Sequence, residues 1–196
     1  MMKNSALVIV DMLYDFIDGS LACLNSTAAV NEAAKFIGTM TDRPEEDADE
    51  ILDTFPVLFV CDRHPANHSS FKEYGGIWPP HCVQGTHGSA IHEMLMPYAQ
   101  EELTFLKGCD PSAEQYSGFE ARNSAGQSLG DILSLLDTTD VYVCGIATEF
   151  CVRSTCEDLK KAGMTVHLLS KALAYVDKDG HRKALEEMKG EGIIVE

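Results

Sequence analysis

The sequence has few of the features that mark nucleic-acid-binding or membrane proteins. Its 196 residues contain no Lys/Arg cluster, and 31 acidic against 15 basic residues give a formal net charge of −16. Because contact with a phosphate backbone or an anionic bilayer depends on clustered basic side chains, nucleic acid and membranes are poor partners. The first apolar run spans six residues and leads directly into Asp11, which is too short for a signal-peptide core or a membrane span.

The cysteines do not form a disulfide pattern. There are seven, an odd number, and they include no CxxC pair, which argues against a disulfide framework and fits a reducing compartment. We therefore expect a cytoplasmic protein. Linkers, repeats and low-complexity tracts are absent too, so the sequence predicts a single domain over residues 1–196. It leaves association into a homo-oligomer open.

Apolar strands alternate with helical patterns along the chain. Continuous apolar runs predict strands at residues 5–10, 56–61, 102–106, 140–144, 165–169 and 193–195, and helical patterns cover residues 28–40, 128–136, 148–162 and 179–189. This alternation predicts an α/β fold with a mainly parallel sheet covered by helices on both faces. Residues 41–50 are most simply an acidic surface loop, with a turn of helix near residues 50–53.

Charged or reactive side chains directly follow four of these strands. Asp11, Asp62 and Lys107 end the first three, and the turn from Gly145 to Cys151 follows the fourth. Ligands of parallel α/β sheets bind beyond the carboxyl ends of the strands. We therefore expect these residues to converge at one edge of the sheet.

Cys151 lies in the first turn of a predicted helix, after the strand in VYVCGIATEFCV at residues 141–152. The free N–H groups and positive dipole end of a helix favour an anion there, so the thiolate should form below the usual pKa of about 8.5. This predicts a nucleophile. A buried cysteine with no reactive role is the alternative, because cysteine is among the residues most often buried. Asp11 and Lys107 favour the nucleophile, since together they supply a base for the thiol proton and a cation for the thiolate.

A candidate metal site follows the second strand. Asp62, His64 and His68 have the spacing Asp-x-His-x3-His, and His81 lies thirteen residues further on. Imidazoles and a carboxylate suit zinc, iron or manganese, and an incomplete ligand set leaves positions for water or substrate. For any single one of these histidines, a solvent-exposed loop residue with no ligand is the alternative. Three histidines within eighteen residues favour a metal site.

Five blocks in order resemble the nicotinamidases, also called pyrazinamidases, of the isochorismatase-like cysteine hydrolases. The blocks are VIVDMLYDF at 8–16, DRHPANHSSF at 62–71, WPPHCVQGT at 78–86, FLKGCDPSAEQYSGF at 105–119 and GIATEFCVRST at 145–155. The resemblance covers nearly the whole chain. It implies a three-layer α/β/α, Rossmann-like fold with a six-stranded sheet, and hydrolysis of nicotinamide to nicotinate and ammonia in NAD salvage.

The resemblance also implies roles for individual residues. Cys151 would be the nucleophile, Asp11 the proton acceptor and donor, and Lys107 the cation between them. Asp62, His64 and His81 would hold one divalent metal ion, zinc first with iron or manganese as alternatives, and His68 is left open. A cis peptide between Ile146 and Ala147 would aim the Ala147 amide, with that of Cys151, at the oxyanion. Phe16 and Trp78 would be pocket walls for a flat pyridine ring, with Tyr116 as a third candidate.

The chain departs from the family pattern at two positions. Glu149 stands where relatives more often have Asp, and we expect little effect on the chemistry and some on helix capping. Arg63 stands where Trp is common, as a surface change beside the metal loop.

Two other functions stay open at this point. One is another hydrolase of the superfamily, acting on an acyclic ureido or carbamoyl amide or on isochorismate. The other is a metal-dependent binding or redox-sensing protein that uses Cys151 without turnover. A sensor needs a resolving cysteine close to the reactive one. Cys156, five residues on, lies about 140° round a helix from Cys151, so it is a poor resolving cysteine.

Overall fold

The computed structural model describes residues 4–41 and 55–196, which form a six-stranded sheet between layers of helices. The strands are β1 (Ser5–Val10), β2 (Val57–Asp62), β3 (Thr104–Lys107), β4 (Asp140–Gly145), β5 (Thr165–Leu173) and β6 (Ile194–Val195). The helices are α1 (Tyr14–Ile17), α2 (Ser26–Thr41), α3 (Leu129–Leu135), α4 (Arg153–Lys161) and α5 (Lys178–Gly190). The predicted turn of helix at 50–53 and all but the first residue of the acidic segment 41–50 lie outside the described residues.

The sheet has the order β3-β2-β1-β4-β5-β6, and each of its strand pairs is parallel. The predicted α/β fold is therefore confirmed. The chain builds outward from β1 to β2 and β3 on one side, and then returns to place β4 on the other. This reversal between β1 and β4 is a topological switch point, where the crevice beyond the strand ends can hold a ligand.

Each face of the sheet has its own apolar core. Along β1, Leu7 and Ile9 point to the layer formed by α1 and α2, whereas Ala6, Val8 and Val10 point to the layer of α3, α4 and α5. All five side chains are buried, as a strand covered on both faces requires. Among the described residues, no helix has the length and apolar character that crossing a bilayer needs.

Helix α1 was not predicted, and β3 begins two residues later than predicted, because Glu101–Leu103 form a 3₁₀ turn. Two further elements differ in a way that bears on the site. Strand β5 continues past residue 169 to Leu173, because the chain pairs again with β4 at Gly145 after a shift in register. Polar residues at 170 and 171 hid this extension in the sequence pattern. The helix predicted to begin at Thr148 opens with a π-helical turn, Thr148–Val152, before α4 starts at Arg153. Such turns often occur at functional sites.

Candidate active site

The register of the sheet brings the predicted strand-end residues together. Asp62 and Lys107 are direct Cα partners across β2 and β3. The Asp11 N–H donates to Val60 O on β2 at 2.9 Å. On the other side, a Cβ on Gly145 would lie 2.0 Å from Val10 O, so only glycine lets the chain leave β4 this close to β1.

Lys107 lies at the centre of this cluster. Its ammonium is 2.8 Å from Asp11 Oδ2, donates a hydrogen bond to Asp62 Oδ1, and lies 3.3 Å from Cys151 Sγ. All four side chains are buried. An ammonium is buried at acceptable cost only when opposite charges surround it. The arrangement therefore holds a thiol, a base and a cation in mutual contact.

The two oxygens of Asp11 have different surroundings. Oδ1 accepts the backbone N–H of Asp62 at 2.9 Å. Oδ2 forms the ion pair with Lys107 but has no hydrogen bond of good geometry within the described residues. The Cys151 sulfur lies within 4.8 Å of a carboxylate oxygen of Asp11. Asp11 can therefore receive the thiol proton.

Burial dominates the pKa values of the pair that would exchange this proton. Burial and the neighbouring Asp62 raise the pKa of Asp11 from 3.8 to about 6, while Lys107 opposes the shift. Burial also raises the pKa of the Cys151 thiol well above its usual value, and again Lys107 opposes it. The sequence-based expectation of a lowered thiol pKa is therefore wrong, because burial and two carboxylates outweigh the helix end.

Asp62, His64 and His81 form a compact group whose potential ligand atoms lie within 4.8 Å of one another. His64 Nδ1 lies 2.9 Å from Gly108 O and His81 Nδ1 lies 2.8 Å from Pro79 O. A carbonyl only accepts, so each Nδ1 carries a hydrogen, which leaves Nε2 as the ring atom that can bind a metal. Asp62 Oδ2 lies 3.5 Å from His64 Nε2. Backbone-anchored imidazoles of this kind are typical of metal ligands, so these three residues fit a divalent ion.

The charge states of Asp62 and His81 also fit a metal site. Burial alone would raise the pKa of Asp62, yet Lys107 and His64 hold it well below its usual range. Burial lowers the pKa of His81. Burial acts the same way on His64, but its contacts with Asp62 raise the pKa of that imidazole. A carboxylate and a neutral imidazole are the forms that bind a cation, so His64 would release the proton that Asp62 favours when a metal ion binds.

His68, left open by the sequence, has both ring nitrogens engaged. Nδ1 lies 2.7 Å from Ser70 Oγ, and Nε2 lies 3.2 Å from Ala113 O, to which it donates. It lies beside His64, with ring centroids 4.2 Å apart. In this arrangement His68 supports the loop and the neighbouring imidazole instead of presenting a free ligand atom.

Asp11, Asp62 and Cys151 form a second group of potential metal ligands. The Lys107 ammonium already contacts all three side chains. A second cation there would meet this charge at close range. We therefore assign this group to the nucleophile and not to a metal.

A pocket with about 430 Å³ of open space lies against Cys151 and the candidate metal ligands. Both predicted walls, Phe16 and Trp78, line it, and so do Tyr116 and Phe150. Trp78 and Phe150 meet edge to face, with centroids 5.1 Å apart, and Trp78 Nε1 donates to the Tyr116 hydroxyl at 3.3 Å. The pocket therefore suits a flat aromatic ring.

The pocket floor carries the predicted oxyanion residues. Ala147 and Cys151 both line the pocket, and the Ile146–Ala147 peptide bond is cis, as expected. The Ala147 N–H donates to no acceptor within the described part of the chain. This amide is free to bind an oxygen of a ligand.

Comparison with known proteins places this geometry in a family. A family model described as an isochorismatase domain matches residues 5–196. The chain belongs to the isochorismatase family. The strand-end cluster, the π-helical turn and the pocket are therefore those of an isochorismatase domain.

Three similar proteins match this chain in sequence or in structure over most of its length. A nicotinamidase/pyrazinamidase of Mycobacterium tuberculosis is 36% identical over 188 residues, covering 94% of each protein. The structure of the Pyrococcus horikoshii pyrazinamidase in complex with zinc is 35% identical, with a TM-score of 0.80 and 98% of each chain covered. PnC1 of L. infantum, in complex with nicotinate, is 30% identical, with a TM-score of 0.81, covering 100% of this chain and 93% of that one.

Several pocket residues of this isochorismatase domain were not predicted from the sequence. Phe150, Val176, Cys23 and Leu21 line the pocket. Phe150 directly precedes Cys151, so its neighbourhood in the sequence was a usable signal. The other three reach the pocket from distant loops, and no spacing rule connects them with the nucleophile.

Proposed function

We propose that the chain is a metal-dependent nicotinamidase, which converts nicotinamide and water to nicotinate and ammonia through a thioester on Cys151. The observation that carries this proposal is the buried Lys107 ammonium in contact with a thiol and two carboxylates, of which Cys151 and Asp62 line an aromatic pocket. The names of the relatives, including a nicotinate complex at 30% identity, support the substrate.

The ring would bind between the aromatic walls of the pocket. Asp62, His64 and His81 would hold one divalent ion, with zinc favoured by the zinc complex of a 35% identical relative. When bound, such an ion supplies a Lewis-acid contact for the pyridine nitrogen, directly or through water. Phe16 and Trp78 restrict the ring to one plane, so the carboxamide is directed toward Cys151.

Proton transfer starts the reaction. Asp11 takes the thiol proton, and the thiolate attacks the amide carbon while Lys107 balances the charge. The oxygen then becomes an oxyanion between the N–H groups of Ala147 and Cys151. Asp11 returns the proton to the departing nitrogen, so ammonia leaves and a nicotinoyl thioester stays on Cys151.

Water completes the cycle. Asp11, again ionised, takes a proton from a water molecule that attacks the thioester carbon. The tetrahedral species collapses, the carbon–sulfur bond breaks, and the sulfur recovers a proton from Asp11. The product is nicotinic acid, which loses its carboxyl proton to solvent and leaves as nicotinate, while thiol and carboxylate return to their starting states.

Ammonia release from nicotinamide by the purified, metal-replete protein tests the proposal. Cys151→Ala should abolish release, and a chelator should abolish it reversibly. Cys156→Ala is the matched control, because Cys156 is also buried but does not line the pocket. Rapid quenching and mass spectrometry should find a nicotinoyl group on Cys151. No release by the wild type would overturn the substrate assignment and direct attention to acyclic ureido amides.

Three further expectations stay predictions: a single domain over residues 1–196, a cytoplasmic location, and the absence of nucleic-acid and membrane partners. Sedimentation of the purified protein would decide between a monomer and a homo-oligomer.

A further inference from the structure

A second depression lies next to the proposed substrate pocket. It has about 590 Å³ of open space, and α5 forms one side of it. Two side chains, Phe150 and Val176, line both this depression and the substrate pocket. We call these two residues the partition. The position of the partition sets how far the substrate pocket extends toward α5.

Val176 is a partly exposed member of the partition. The residue is 37% exposed, and it lies in the loop that joins β5 to α5. Its backbone N–H donates to Glu149 Oε1 at 2.9 Å, and the next N–H, of Asp177, donates to the same oxygen at 2.8 Å. The Glu149 carboxylate therefore ties this loop to the turn that carries the nucleophile.

The turn itself is firmly anchored. The Thr148 N–H and hydroxyl donate to Ala174 O at 2.9 Å and 3.0 Å, and the hydroxyl lies 3.0 Å from His181 Nδ1. A carboxylate next to the first turn of α5 also interacts favourably with the positive end of that helix.

The loop is also held on either side of Val176, since the Tyr175 and Leu24 backbones exchange two hydrogen bonds and the Asp177 side chain accepts the Gly180 N–H. Between these points, the Val176 N–H depends on Glu149.

The geometry points to Glu149 as a positioning residue that holds Val176 in the partition and so limits the size of ring that the pocket accepts. This inference rests on the proposed nicotinamidase function. Unsubstituted pyridine carboxamides fit, and rings carrying a substituent on the side of the partition are excluded. Glu149 does not touch the reacting atoms, so its effect is on selectivity between substrates.

Kinetics with nicotinamide and its four ring-methylated isomers test the inference. Glu149→Ala removes the acceptor for both N–H groups, and Val176→Ala shortens the partition directly. In both variants the ratio of kcat/KM for at least one methylated isomer to that for nicotinamide should rise roughly tenfold or more, the usual effect of one methyl group in a tight pocket. The gain should appear mainly in KM. Glu149→Gln keeps an acceptor oxygen and should restore most of the wild-type selectivity.

A measurement without turnover separates this inference from the proposed function. Peptide mass spectrometry gives the rates at which iodoacetamide and the bulkier N-phenylmaleimide alkylate Cys151, with exposed Cys109 as internal reference. The bulky-to-small rate ratio at Cys151 should rise in Glu149→Ala and Val176→Ala, and stay constant at Cys109. If wild type releases no ammonia but this ratio shifts, the substrate is wrong and the partition stands.

Two outcomes overturn the inference while leaving the proposed function intact. One is a selectivity ratio and an alkylation ratio that do not change in Val176→Ala, which is expected to fold because this side chain is partly exposed. The other is a Glu149→Ala variant that loses activity equally on all five amides, through kcat. Glu149 would then support the fold or the chemistry and not the partition.

Discussion

The Lys107 ammonium lies 3.3 Å from the Cys151 sulfur, and both groups are buried. A cation at this distance favours the thiolate, yet burial and the carboxylates of Asp11 and Asp62 raise the pKa of the thiol. One positive charge therefore faces two negative ones before any thiolate forms. In the proposed mechanism this balance keeps the sulfur protonated until Asp11 takes the proton, so the nucleophile forms together with proton transfer.

Replacing Lys107 by Met should abolish ammonia release and destabilise the fold. The substitution leaves the carboxylates of Asp11 and Asp62 buried without their shared cation, and breaking a buried ion pair costs about 3–5 kcal/mol. Urea unfolding would measure this loss. Lys161→Met is the control, because this exposed ammonium pairs with Asp158 at the surface, where solvent screens the charges and the pair adds little to stability. Equal losses in both variants would contradict a special role for Lys107.

Gly108→Ala should weaken metal binding. Gly108 has φ +64°, and a Cβ there would lie 2.4 Å from His64 Cε1 and 2.6 Å from Nδ1. The imidazole would have to move and give up its bond to Gly108 O. Loss of such an outer contact lowers metal affinity about 10–100-fold, which competition with a chromogenic chelator would measure.

The matched control for Gly108→Ala is Gly126→Ala. Gly126 has φ +78°, so alanine is similarly strained, but its Cβ would meet nothing within 4 Å. Metal affinity should stay at the wild-type value in this variant. If both variants lose metal to the same extent, backbone strain and not the clash with His64 is the cause.

The sequence predicted the site residues that lie at the ends of strands. Asp11, Asp62 and Lys107 stand at strand ends, and a parallel sheet brings such ends together, so their proximity could be expected. Val176 and Glu114 reach the pocket from loops, and loop paths depend on tertiary contacts that no periodicity records. The pKa of Cys151 was missed for a related reason: the helix end is visible in the sequence, whereas burial and the packing of two carboxylates are not.

Asp15 should matter for metal binding although it is not a candidate ligand. Its Oδ2 accepts the Cys82 N–H at 2.7 Å, which holds the residue next to His81. Cys82 also has a positive φ of 48°, a conformation that needs support. Asp15→Ala should therefore lower metal affinity several-fold by the same outer-contact effect. Asp18 is exposed at the C-terminal end of α1, the helix that contains Asp15, so Asp18→Ala should not change metal affinity. Metal content after dialysis against a weak chelator would distinguish the two variants.

The start of α3 offers a test of acid dependence. Ser128 Oγ accepts the Asp131 N–H at 3.0 Å, and Asp131 Oδ2 accepts the Ser128 N–H at 2.9 Å. The bond from the Ser128 N–H lowers the pKa of Asp131. The contribution of the ionised Asp131 carboxylate to stability is therefore complete above the pKa of about 3.9 that it has in the unfolded chain, and it is lost as the pH falls below that value.

Two variants separate the contributions of the Asp131 and Ser128 side chains to this N-terminal cap of α3. Asp131→Asn should lower the urea midpoint at pH 7, and the difference from wild type should shrink at low pH, where the wild-type carboxylate is itself protonated. Ser128→Ala should cost about 1 kcal/mol at both pH values, because a hydroxyl does not titrate. Ser134→Ala, exposed on the same helix, should change neither midpoint. A deficit of Asp131→Asn that is as large at low pH as at pH 7 would show that the side chain acts through packing and not through its charge.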